Sequence, residues 1–253
     1  MKIDGLIEAR LIKRYKRFLA DVEMSDGKVV TVHCPNPGSM KGCLDEGSKV
    51  FLKDSKNPKR KLQYSWILVE TKSSLVIVDT GFANKFVGGL VEKQMIDGLT
   101  GYGKVLSEPR YLDGRFDLLL TNGEEDSAAG KRSASRGDCF VEIKSTTLKD
   151  GDAAQFPDAR TERGRKHLEK LARAKSEGIR AVQFFLVNRT DTKFFEPAGQ
   201  IDPQYTETLK EFGQKEVEVL AYDIDIDLKV GGEKGSGLFD AKVELGKQLP
   251  VKI

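Results

Sequence analysis

Asp117, Glu142 and Lys144 are the residues of this 253-residue chain whose types and spacing could do chemistry. Gly114-Arg115-Phe116-Asp117 runs into the apolar Leu118-Leu119-Leu120. After a polar gap comes Cys139-Phe140-Val141-Glu142-Ile143-Lys144. The pattern predicts two strands joined by a loop. A carboxylate inside an apolar strand is costly to bury unless it is paired or binds a metal. Strand side chains alternate faces, so Glu142 and Lys144 share one, and Asp117 joins them there if the strands pair. Two carboxylates and an ammonium on adjacent strands are what a Mg²⁺-dependent phosphodiester hydrolase needs. Oxygen ligands suit a hard cation. The cation polarises the phosphate and activates a water, and a lysine stabilises developing charge or orients that water. The same three residue types also occur on solvated hairpin faces. Apolar neighbours on both strands argue here for burial.

These residues must be positioned by a layered second half. Phe86, Val87, Leu90, Val91, Met95 and Leu99 have helical spacing and predict a helix over Ala83 to Leu99. Strands are predicted at 103 to 109, 114 to 121 and 138 to 146. An amphipathic helix is predicted over 159 to 177, stopped by Gly178 and carrying Leu168, Leu171 and Ala172 on its apolar side. A buried strand at 180 to 187, a helix opened by Asp202-Pro203 and a strand at 217 to 222 complete a mixed α/β layer fold. Thr121 to Gly137 and Lys229 to Gly237 read as loops.

The first half reads differently. Short strands recur at 6 to 12, 18 to 23, 29 to 34, 49 to 52, 64 to 70 and 75 to 79, with Ser25-Asp26-Gly27 as a hairpin turn. Five to six short strands suit a small OB-like barrel. The expected division is a barrel over 1–82 and an α/β unit over 83–253.

Composition narrows the partners. No apolar run approaches a membrane span, and Met1 to Gly5 lacks the apolar stretch of a signal peptide. Three cysteines, an odd number, argue against a disulfide framework, and with two histidines a zinc enzyme is not expected. The cytoplasm is the expected compartment. Residues 1 to 82 hold 15 basic and 10 acidic residues, while the remainder is net −2. A polyanion-binding module attached to a metal-binding unit fits that distribution.

Several segments carry a family resemblance. They are Arg14-Tyr15-Lys16-Arg17-Phe18-Leu19-Ala20-Asp21-Val22, His33-Cys34-Pro35-Asn36-Pro37-Gly38-Ser39-Met40, Arg115-Phe116-Asp117, Val141 to Leu148, Phe156-Pro157-Asp158-Ala159 through His167-Leu168, and Leu249-Pro250-Val251. In this order and spacing they resemble the sugar fermentation stimulation (SfsA) family over nearly the whole length. The resemblance implies an N-terminal OB-fold barrel, a C-terminal α/β domain of the PD-(D/E)xK nuclease class, DNA binding, and an association with control of sugar (maltose) catabolism. It carries the nuclease acids to Asp117 and Glu142 and the lysine to Lys144. It also points to Glu108 as an acid that precedes the Asp strand. Pro37 and Gly114 depart from the family's usual Thr and Ser.

Nucleic-acid contacts are expected from three places. Arg14, Lys16 and Arg17 lie in a stretch that interleaves basic and aromatic residues, suited to phosphates and stacked bases. Asn36 and Ser39 lie in a Pro-bounded turn that could equally be a rigid corner. Arg160, Arg163 and His167 open the 159–177 helix, and Arg163 and His167 share a face. Asp158 is expected to cap that helix. Glu92 reads as a surface acid and Trp66 as core. Two functions compete: a Mg²⁺- or Mn²⁺-dependent DNA nuclease, with Asp117 and Glu142 on the metal, and a non-enzymatic DNA-binding regulator on a nuclease scaffold. Single- or double-stranded DNA stays open, as does RNA, because an OB barrel reads both by stacking and charge. Oligomeric state, a homodimer included, is not legible.

Overall fold

The computed structural model describes residues 1–123, 134–232 and 237–253. Period-two alternation in the first half folds as five strands: β1 (Lys2–Tyr15), β2 (Leu19–Met24), β3 (Val29–His33), β4 (Lys49–Asp54) and β5 (Tyr64–Glu70). They pair in the ring β1-β2-β3-β5-β4-β1, which closes a barrel. Closure removes the exposed edges that short strands otherwise present. Alternate side chains fill the interior: Ala9, Leu11, Ala20, Val22, Val32 and Trp66 form one cluster. The Trp66 indole N–H donates to the Leu68 carbonyl at 2.8 Å. β6 (Leu75–Ile77) pairs with β5.

The second unit opens with α1 (Gly81–Glu92). Then come β7 (Lys104–Ser107), the two-residue strands β8 (Arg110–Tyr111) and β9 (Gly114–Arg115), β10 (Leu118–Thr121) and β11 (Cys139–Thr146). β12 (Leu148–Asp150), β13 (Ala153–Phe156), α2 (Glu162–Ser176), β14 (Arg180–Val187), β15 (Phe194–Pro197) and α3 (Pro203–Gly213) follow. The chain closes with β16 (Glu218–Gly231) and β17 (Leu238–Gln248). The order β17-β16-β14-β11-β10-β7 makes a mixed sheet, parallel at β11–β14–β16 and antiparallel elsewhere. α1 covers one face with Phe82, Phe86, Val87 and Leu90, against Val141, Ile143 and Phe184. α2 and α3 cover the other, with Leu168, Leu171, Tyr205 and Leu209. No described helix is long and apolar enough to cross a membrane.

Four expectations are corrected. The first helix ends at Glu92 rather than Leu99, because Gln94 turns back at φ 56°. Ile96 and Leu99 are buried in the same cluster without being helical. The strand expected at 114–121 breaks at Phe116 and Asp117, since Gly114 and Arg115 pair with β8. The last strand does not stop at 222: β16 runs to Gly231 and turns back as β17, so 229–231 is strand rather than loop. Residues 124–133 and 233–236 of the expected loops lie outside the described residues. Asp158 does not cap α2. Thr161 does, its hydroxyl accepting the Gly164 N–H at 3.0 Å.

β17 joins the two halves. It pairs with β16 on one side and with the first residues of β1 on the other, Lys2 opposite Lys242 and Ile7 opposite Leu238. A bulge between Ile3 and Leu6 bends β1 there, with Gly5 at φ 64°. β1 thus serves the barrel and the outer sheet, and one cluster runs from Leu6, Phe51 and Leu68 to Val141 and Phe184.

Candidate active site

Pairing fixes the acids. Leu118 lies opposite Val141 and Leu120 opposite Cys139, which sets Asp117, just before β10, across from Glu142 on β11. Val141 and Ile143 face the α1 side, whereas Phe140 packs on the α2 side. Alternation therefore turns Glu142 and Lys144 toward α2, where His167 waits. Glu142 is 2% exposed. Its Oε1 accepts from the Lys144 ammonium at 2.6 Å and contacts His167 Nδ1. Its Oε2 is buried with no hydrogen-bond partner among the described residues. Asp117 Oδ2 accepts the Ile143 backbone N–H at 2.6 Å, and Oδ1 accepts from the Asn84 side-chain amide, also at 2.6 Å.

The hydrogen-bond chain assigns the imidazole tautomer. Arg163 Nε donates to His167 Nε2 at 3.4 Å. Nε2 is then an acceptor, and Nδ1 carries the proton that goes to Glu142.

The two carboxyls are held apart in acidity. Burial, and then the charge of Glu142, push the Asp117 carboxyl above its ordinary value. Burial also works on Glu142, but the Lys144 ammonium and His167 outweigh it and leave that carboxyl below its ordinary value. Such a divergence is typical of sites with a chemical task.

Asp117, Glu142, Lys144, Glu108, Arg163 and His167 line one cavity of about 400 Å³. Glu108, after β7, is held at φ 51°, and its carboxylate is paired with Arg115 at 2.8 Å. Among the described residues no group of three or more His, Cys, Asp and Glu forms a cation cage. The donors still fit a hard cation. Mg²⁺ characteristically takes one or two carboxylates and fills its remaining positions with water and substrate phosphate. The unpartnered Glu142 Oε2 is the buried oxygen such an ion would satisfy.

The barrel-side residues are placed in two groups. Arg14 donates to the carbonyls of Arg17, Asn36, Gly38 and Ser39, and so ties the Pro35–Met40 turn together. Asn36 is buried, its amide donating to the Val78 carbonyl and its oxygen accepting the Gly38 N–H. Ser39 donates to Asp158 at 3.4 Å. Arg14, Asn36 and Ser39 are thus engaged in holding the turn. Lys16 is exposed on the β1–β2 turn and lines neither the Asp117–Glu142 cavity nor its neighbour. Arg17 and Arg160 do line that neighbour, a cleft of about 300 Å³ between the turn and Pro157–Thr161. Asn84, Ile143 and Lys144 line both spaces, so the two are adjacent. Sequence reasoning missed Asn84, whose position on α1 gave no signal, and Arg115, whose partner Glu108 is seven residues away.

The comparisons follow this architecture. The model of the Sugar fermentation stimulation protein RE domain matches residues 81–230, and that of the SfsA N-terminal OB domain matches 12–78. A Sugar fermentation stimulation protein homolog of Geotalea uraniireducens (strain Rf4) is 44% identical over 218 residues, covering 86% of this chain and 89% of that protein. One of Marinomonas sp. (strain MWYL1) is 45% identical over 225 residues, covering 88% and 83%. A structure described as Pyrococcus furiosus SfsA in complex with Ca²⁺ superposes with a TM-score of 0.81 at 24% identity, over 100% of this chain and 98% of that one. With an OB barrel, a mixed-sheet second unit and relatives matched along most of their length, this chain belongs to the sugar fermentation stimulation protein family.

Proposed function

We propose that the second unit is a PD-(D/E)xK-type, Mg²⁺- or Mn²⁺-dependent phosphodiester hydrolase acting on DNA, which the barrel helps to bind. The observation that carries this reading is Glu142 Oε2, a buried carboxylate oxygen with no partner, opposite Asp117 and beside Lys144. The similar Pyrococcus furiosus protein is described in complex with Ca²⁺, another hard cation that takes oxygen ligands.

Asp117 and Glu142 would hold the ion. Once bound, it would polarise the phosphate and lower the pKa of a water. The chain's own residues prepare the rest. The Ile143 N–H and Asn84 fix the Asp117 carboxylate. His167 and Lys144 occupy Glu142 Oε1, leaving Oε2 as the free ligand oxygen. Outer partners of this kind set ligand orientation and basicity. The Lys144 ammonium sits where it can stabilise charge developing on the phosphate.

The experiment is cleavage of labelled single-stranded, duplex and branched DNA in Mg²⁺, Mn²⁺ or EDTA, with wild type beside Asp117→Ala/Glu142→Ala. Metal-dependent cutting that disappears in the double variant is the expected result. A second reading, a DNA-binding regulator without catalysis, is favoured by one observation: Glu108, the third acid, is paired with Arg115. It requires binding in both proteins and cutting in neither.

A further inference from the structure

Side chains two apart on a strand share a face, so the row that begins with Glu142 and Lys144 continues to Thr146. Thr146 is 1% exposed, and its Oγ1 has no hydrogen-bond partner among the described residues. It lines the cleft between the Pro35–Met40 turn and the second unit, together with Lys144, Arg17 and Arg160. Buried polar atoms are nearly always satisfied, and one that is not calls for a partner the chain itself does not supply.

The charge of the cleft says what partner. Arg160 is exposed, and its guanidinium makes no hydrogen bond or ion pair among the described residues. Arg17 uses Nε and Nη2 on the Pro37 carbonyl, which leaves Nη1 uncommitted. Asp158 is the one acid in the lining, and its carboxylate is engaged by the Met40 N–H and the Ser39 hydroxyl. Two arginines, Lys144 and Thr146 therefore line a space whose one acid is already engaged, which suits an anion. Arginine is the side chain best matched to a phosphate's paired oxygens. The volume, about 300 Å³, is at the small end for ligand sites and suits one nucleotide.

We propose that this cleft is a subsite for one unpaired DNA nucleotide flanking the scissile phosphate, so that the substrate is presented as a single strand. The Thr146 hydroxyl and the Arg160 guanidinium take the phosphate of that nucleotide, and Arg17 supports it from the barrel side. The strand reaches Asp117 and Glu142 along the shared wall of Asn84, Ile143 and Lys144. A base pair would have to open to enter, a cost that a single strand does not carry. The assignment rests on the hydrolase reading only for which phosphate is cut.

The test reads binding rather than cutting. Fluorescence anisotropy is measured on the full chain in EDTA, with a labelled oligothymidylate and with a blunt duplex of equal length. Wild type is expected to bind the single strand more tightly than the duplex. Arg160→Ala should weaken the single-strand complex about tenfold and Thr146→Val about threefold, as loss of one charged and one neutral hydrogen bond predicts. Thr146→Ser, which keeps the hydroxyl, should bind like wild type. Equal affinity of wild type for strand and duplex, or wild-type single-strand affinity in both Arg160→Ala and Thr146→Val, overturns the subsite. The two readings fail separately. Absence of metal-dependent cutting leaves these affinity differences in place, and cutting that persists without them removes the subsite alone.

Discussion

The Asp158 carboxylate accepts the Met40 backbone N–H at 3.0 Å, across the seam between the barrel and the second unit. The turn sits close enough for this because Gly38 has no side chain: a Cβ there would lie 2.3 Å from Asp158 Oδ2. Asp158→Ala leaves that N–H without its acceptor and should cost about 1–3 kcal/mol of stability. Asp158→Asn keeps an acceptor oxygen and should cost less. Urea denaturation of the two variants checks the order.

Asp117 and Glu142 predict opposite pH effects on the metal-free protein. Asp117 is raised, so its contribution to stability is full below the unfolded value of about 3.9 and is lost as pH rises through its raised folded value. Glu142 is lowered, so its contribution is full above about 4.3 and is lost as pH falls through its depressed folded value. Asp117→Asn should therefore raise the melting temperature at neutral pH, by roughly 2–4 °C per kcal/mol gained in a chain of this size, while abolishing the proposed cutting. Glu142→Gln should flatten the acid limb of the stability profile. Thermal melts across pH, in EDTA, read both.

His167 contacts Glu142, which gives it a positioning role on that carboxylate. His167→Ala should lower cutting about 10–100-fold, the usual cost of removing an outer partner of a metal ligand. The loss should be partly recovered by raising Mg²⁺, because the defect is in holding the ion. A rate that stays low at saturating Mg²⁺ would mean that His167 acts on the chemistry itself.

Trp66, the single tryptophan, lies in the barrel, whereas all three described helices lie in the second unit. The cluster shared from Leu6 to Phe184 predicts that the two unfold together. Tryptophan fluorescence and helical ellipticity should then report one coincident transition in urea. Separate midpoints would show that β17 does not couple the halves.

Local pattern carried much of this architecture. Alternation in β1 to β5 and the turn at Ser25-Asp26-Gly27 marked the barrel, and the apolar frame around Glu142 and Lys144 placed them on a buried strand. Part of what failed was local, as in the Gly114–Arg115 hairpin and the Thr161 cap, and part involved partners distant in sequence. Of the expected apolar face, Leu99 is buried from a non-helical segment while Met95 is exposed and Ile96 takes its place in the core, because burial follows tertiary contact rather than period. β16 past Tyr222 alternates Ile224, Ile226 and Leu228 with aspartates. That is a strand signal, yet only its pairing with β17 shows why it persists. Arg14 looks like a phosphate ligand in sequence. Three of the four carbonyls it serves belong to a turn more than twenty residues away, which composition cannot reveal.

The pairing of β1 with β17 sets an order of assembly. The Gly5 N–H donates to Asp240 Oδ1, a contact that closes a loop of 235 residues. During synthesis the first strand leaves the ribosome long before its neighbour exists. Until then its first residues, Lys2 and Ile3, which pair with β17 and not with β4, have no sheet to join. Contacts of such separation are slow to form, because the closure entropy comes before the reward. The barrel ring can close within the first seventy residues, but the start of β1 must wait unpaired for nearly the whole chain, and this interval is when a holding chaperone would matter most to the protein's yield.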